Sequence, residues 1–192
     1  MKSHLFVLPV ASLFLAVAAF AAEPAQKSED RQKTVKATYL ISGLHCPPCT
    51  TTVESSLDKV KGVRSIKVDW KTKEARIEFD EAVLPAQWVA QLIADTPHMM
   101  GANMHYGAWL MLRVPDVKDE ATAKQTKEVV RRVAGVQRVI TYPAEHSIGV
   151  LFPAKGDMTS QQLIDALGKA GIKAEVVDPN TGREGTIQSL EK

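Results

Sequence analysis

Residues 35–63 read VKATYLISGLHCPPCTTTVESSLDKVKGV, and both cysteines of the chain lie within them, at positions 46 and 49. Before the cysteines, Val35, Ala37, Tyr39 and Ile41 alternate with other residues, the period-two pattern of a strand with one buried face. After them, Cys49, Val53, Leu57 and Val60 recur at helical spacing, and Gly62 closes the run as a helix-terminating glycine. The stretch is therefore a strand, a loop carrying C-x-x-C, and a helix. Two further strands are predicted, one with Val63, Ile66, Val68 and Trp70, the other with Ala75, Ile77 and Phe79. Residues 71–74 form a solvated turn between them. Pro85 opens a second helix with Trp88, Val89, Leu92 and Ile93 on one face, and a last strand is expected over residues 100–106.

The same order of elements recurs. Displaced by 73 positions, ISGLHC at 41–46 falls on VPDVKD at 114–119, and VKGV at 60–63 falls on VAGV at 133–136. ARIEF at 75–79 falls on IGVLF at 148–152, and QLI at 91–93 matches QLI at 162–164 after a short gap. The second copy opens with Ala108, Leu110, Leu112 and Val114 as a strand and closes with one near residues 172–177. The predicted fold is α+β: two tandem ferredoxin-like βαββαβ units, at 34–106 and 107–178. Each would be a four-stranded antiparallel sheet with its helices on one face. In the second unit Asp119 and Thr122 stand where the cysteines would be.

The N-terminus sets the compartment. Lys2, the apolar run at 5–20 and the Ala19-Phe20-Ala21 triplet form a secretory signal peptide over 1–21, cut before Ala22. Residues 22–33 read as a polar linker and 179–192 as a disordered tail. The expected protein is periplasmic or secreted, and no second apolar run offers stable membrane insertion. An oxidising compartment favours a disulfide unless a reductant or a metal occupies the thiols. A formal charge of +2 and 6% aromatic residues leave no footprint for nucleic acid.

Residues 34–106 resemble the heavy-metal-associated domain family. The resemblance rests on Gly43-Leu44-His45-Cys46-Pro47-Pro48-Cys49, then Val53-Glu54, Leu57 and Gly62-Val63. An exported form resembles the periplasmic mercury- and copper-binding proteins of that family. The resemblance implies binding and hand-over of a soft ion by Cys46 and Cys49, with no catalysis. It implies a metal donor or acceptor protein as partner, a membrane metal transporter among the candidates. Leu44 stands where the family has methionine packed under the loop. The two prolines between the cysteines are a departure.

The residues themselves leave three readings open. Two thiolates from one loop suit a soft ion of low coordination number, Cu(I) first, with Hg(II) or Zn(II) as further candidates. Zinc in a structural site generally takes four ligands. Cys49 falls in the first turn of a helix, where the N-terminal dipole favours the thiolate. The second reading is thiol–disulfide exchange through C-P-P-C, which would make the chain an oxidoreductase. The third is an interaction module stapled by a structural disulfide. No other arrangement of catalytic residues is present, so no other enzyme is expected. His45 is a candidate supplementary ligand, as are His98, Met99 and Met100 from the cluster HMMGANMH at 98–105. In the resembled fold that segment lies beside the C-x-x-C loop. Met104 is assigned to packing.

Overall fold

A computed structural model describes residues 34–180. The expected signal peptide at 1–21, the linker at 22–33 and the tail from 181 onward lie outside the described residues. In chain order the elements are β1 (Thr34–Ser42), α1 (Pro47–Leu57), β2 (Val63–Asp69), β3 (Glu74–Asp80), α2 (Ala86–Ala94) and β4 (Gly107–Arg113). They continue with α3 (Glu120–Val130), β5 (Arg138–Tyr142), a 3-10 turn (Pro143–Glu145), β6 (Ser147–Leu151), α4 (Ser160–Lys169) and β7 (Glu175–Val176). No helix among the described residues is long and apolar enough to cross a membrane.

The class is α+β with an antiparallel sheet and four α-helices, and the strands of the first copy lie in the order β2-β3-β1-β4. The expectation of two separate four-stranded sheets is corrected. A single seven-stranded sheet runs β2-β3-β1-β4-β6-β5, with β7 also paired to β4. One edge of β4 meets β6; the other meets β1 at residues 107–110 and β7 at 112–113. β4 is thus the last strand of the first copy and the first strand of the second.

Two sequence features explain the sharing. GANMHYG at 101–107 carries Gly and Asn, which favour turns, so the strand expected at 100–106 does not form there. The residues that follow are apolar on both faces, as a strand central to a sheet must be. Ala108, Leu110 and Leu112 belong to the main core, whereas Trp109 and Met111 lie in a smaller cluster with Leu40. The main core is continuous across both copies, from Val53, Leu57, Phe79 and Ile93 to Ile148, Leu163 and Leu167. Each such side chain contributes about 1.5–3 kcal/mol of transfer free energy on burial.

Side chains of the first copy grip the second. Buried Gln87 donates from Nε2 to the carbonyls of Pro153 (2.8 Å) and Lys155 (3.0 Å), and its Oε1 accepts from Met158 N–H at 3.1 Å. The Glu81 carboxylate sits at the N-terminus of α4 and accepts from the Ser160 amide and hydroxyl, where the helix dipole favours an anion. Trp88 was expected on the buried face of α2, but is half-exposed and donates to Gly156 O at 2.8 Å. The buried face is instead Ala86, Val89, Ala90 and Ile93, the i, i+3, i+4, i+7 stripe, and residue 88 lies off it. Tyr39 donates to Ala86 O at 2.9 Å; burial first, and the Glu81 carboxylate second, push its hydroxyl well above the usual range.

Candidate metal-binding loop

β1 ends at Ser42 and the chain must turn at once into α1. Gly43 makes the turn at φ +87°, and a Cβ there would lie 2.7 Å from the backbone oxygen of His105. Only glycine lets the loop pass this close beneath the α2–β4 segment. Leu44 is buried in the main core, the packing expected of it, while His45 is exposed.

Cys46 is the N-cap of α1 in an extended conformation, and Pro47 and Pro48 occupy the first two helical positions. Their fixed φ and missing N–H cost nothing there. The prolines therefore promote the helix start, with Pro47 as its first residue. Cys49, at the third helical position, is fully buried and sends its amide to Cys46 O at 3.0 Å, so that N–H is unavailable to a sulfur. The Thr50 and Thr52 hydroxyls donate back to the carbonyls of Pro47 (2.7 Å) and Pro48 (3.3 Å), tightening the first turn. In this state the Cys46 and Cys49 sulfurs are joined as a disulfide, their Cα atoms 5.4 Å apart. Cys46 is half-buried and packs against the main core, whereas Cys49 is fully buried within it.

The second copy shows what the same two positions become without sulfur. Asp119 is the N-cap of α3 and Thr122 its third residue. Asp119 Oδ1 accepts from Thr122 N–H at 2.8 Å, and Thr122 Oγ1 accepts from Asp119 N–H at 3.1 Å, a reciprocal capping box. Hydrogen bonds to Thr122, the amide first and the hydroxyl next, hold the Asp119 carboxyl below its ordinary range.

The supplementary candidates divide. His98 does reach the loop, with Nε2 2.8 Å from Gly43 O and Nδ1 3.2 Å from the Met100 amide. A carbonyl can only accept and an amide only donate, so Nε2 is the donor of this pair and Nδ1 the acceptor. Both nitrogens are engaged, and His98 braces the loop from this position. Its ring packs against Tyr106 (centroids 4.6 Å apart) and faces His45 at 5.8 Å. Met99 and Met100 are exposed, at 57% and 60%, and take no part in the core. Met104 is half-buried in the coil before β4 rather than on a strand. Among the described residues no three of His, Cys, Asp and Glu converge to hold a metal ion.

One group escaped sequence reasoning. Lys73, read as part of a solvated turn, is half-buried with φ +60°, and its Nζ donates to Leu44 O at 2.7 Å. The ammonium also lies 3.1 Å from the centre of the Trp70 ring. It brings a positive charge to the backbone two residues before Cys46. No sequence pattern announces this, because it depends on the β2–β3 hairpin ending beside the loop.

With this geometry in place, similarity to known proteins becomes decisive. The model of the heavy-metal-associated domain matches residues 38–96, from within β1 to just past α2. The copper chaperone CopZ of Enterococcus hirae is 30% identical over 61 residues, which span 32% of this chain and 88% of that protein. This chain belongs to the heavy-metal-associated domain family. Another relative is the mercuric transport protein periplasmic component of an Alcaligenes species, 34% identical over 62 residues and covered to 68%. A longer match reaches into the second copy: the copper-transporting ATPase HMA5 of Oryza sativa is 27% identical over 163 residues, 81% of this chain. The chain spans 16% of that ATPase's length. All of these matches place this member of the family among proteins named for copper or mercury.

Proposed function

We propose that this protein is exported, binds a soft metal ion through the thiolates of Cys46 and Cys49, and exchanges that ion with a donor or acceptor protein. Cu(I) is the preferred ion and Hg(II) the next. The observation that carries the reading is the pairing of two sulfurs of one loop, within bonding reach of each other, at the start of α1. Membership in the heavy-metal-associated family supports it. Two sulfurs satisfy a soft ion of low coordination number, and Cys46, the less buried of the two residues, is the one a partner's sulfur would approach. The disulfide must first be reduced by two electrons and two protons. Binding then releases the thiol protons, so affinity rises with pH. The test is alkylation: Cu(I)-loaded protein should be protected from iodoacetamide at both cysteines, whereas reduced metal-free protein should be alkylated.

One observation favours a second reading, thiol–disulfide exchange. The pair is disulfide-bonded, with Cys46 half-buried and Cys49 fully buried. That asymmetry suits attack by a thiolate on Cys46, with Cys49 as the departing sulfur. Catalysed reduction of a model disulfide, together with unprotected cysteines in the presence of Cu(I), would establish this reading over the first.

A further inference from the structure

The segment between α2 and β4 carries two adjacent methionines that the core does not use. Met99 and Met100 are 57% and 60% exposed, although methionine is ordinarily a buried gap-filler. The backbone that carries them is nevertheless fastened to the cysteine loop. The Met100 amide donates to His98 Nδ1, and His98 Nε2 donates to Gly43 O, three residues before Cys46. Tyr106 supports the His98 ring from beneath, and the exposed His45 stands beside it. The Met100 backbone and the exposed His45 ring thus both adjoin His98, beside a loop whose own sulfurs are, in this state, joined to each other. His98 is not a fourth donor, since both its nitrogens are hydrogen-bonded.

We propose that Met99 and Met100, with His45 as a third donor, form a site for a soft monovalent cation that works while Cys46 and Cys49 are disulfide-bonded. Thioether sulfur is a soft, neutral ligand that selects Cu(I) and its analogue Ag(I) over hard divalent ions. It binds without deprotonation and forms no disulfide, so these two ligands require neither a reductant nor proton release. The inference deepens the soft-metal reading of the loop: the ion is held by the methionines in the oxidised state, and the thiolates become available once the pair is reduced.

The test titrates Ag(I) into the disulfide-intact chain carrying ¹³C-methyl methionine. The ε-methyl signals of Met99 and Met100 should shift in a saturable manner, while those of buried Met111 and distant Met158 stay in place. The Met99→Leu/Met100→Leu variant should bind Ag(I) at least about tenfold more weakly, a loss typical even of changes outside the ligands themselves. Its thermal midpoint should be unchanged, because both side chains are exposed. Absence of a saturable shift in the wild-type chain, or unchanged affinity in the variant, overturns the proposal. The two readings fail separately. Reduced Met99→Leu/Met100→Leu protein that still binds Cu(I) leaves the cysteine site standing. Methionine shifts in a reduced chain that binds no better than Cys46→Ser/Cys49→Ser leave the methionine site standing alone.

Discussion

Replacing Gly43 by alanine tests whether the cysteine loop is positioned by a close backbone approach. Gly43 has φ +87°, and a Cβ would meet His105 O at 2.7 Å. Gly171, after α4, has nearly the same φ of +82° but nothing within 4 Å of its Cβ position. The conformational penalty, about 1–2 kcal/mol for a left-handed non-glycine residue, is common to both. Only Gly43→Ala also forces a carbonyl to retreat by roughly half an ångström or more toward ordinary contact distance. That movement strains the Gly43–His98 hydrogen bond, worth about 1 kcal/mol, and overpacks the loop by about another 1 kcal/mol. The expected cost is therefore about 3–4 kcal/mol at Gly43 and about 1–2 kcal/mol at Gly171. For a chain of this size each kcal/mol lowers the thermal midpoint by about 2–4 °C. Urea unfolding of the oxidised proteins, followed by tryptophan fluorescence, measures both. Equal destabilisation by the two substitutions would refute the claim that the His105 backbone clamps the loop.

Substitutions at two further positions address charge. Lys73→Met removes the ammonium from Leu44 O and Trp70, so Cu(I) affinity of the reduced protein should fall by up to about tenfold, as expected for one charge in a partly screened site. Lys73→Arg should recover most of it in a competition titration with a Cu(I) chelator. Asp119 has a folded pKa below its unfolded one, so its stabilisation is complete above about pH 4 and is lost as pH falls through the lowered folded value. Asp119→Asn should therefore show a flatter stability–pH profile than wild type in the acid range, and an unaltered profile would count against the capping box.

How much the sequence discloses follows from the range of each interaction. The alternation of Val35 to Ile41, the helical spacing of Cys49 to Leu57 and the turn glycines are local signals, and β1, α1, β2, β3 and α2 follow them. The repeat likewise aligns Cys46 and Cys49 with Asp119 and Thr122, which prove to be N-cap and third residue in both helices. The shared strand is not legible, because residues 108–112 look the same whether they close one sheet or open another. Their apolar character on both faces, Trp109 and Met111 included, was the available hint. Around the loop, the proximity of residues 98–106 followed from the resembled fold together with the order of elements. The direction of each side chain did not. His98 turned inward to Gly43, Met99 and Met100 turned outward, and Lys73 reached Leu44 from a different hairpin. Those outcomes depend on tertiary contacts far apart in sequence.

The central claim is that Cys46 and Cys49 together hold a soft ion, and Cu(I) titration of the reduced chain against a chromophoric chelator tests it most directly. The account predicts one tightly held Cu(I) per chain and loss of that binding in Cys46→Ser/Cys49→Ser, with circular dichroism showing that the variant remains folded. A reduced wild-type chain that fails to compete for Cu(I), or a folded double-serine variant that competes equally well, would contradict it.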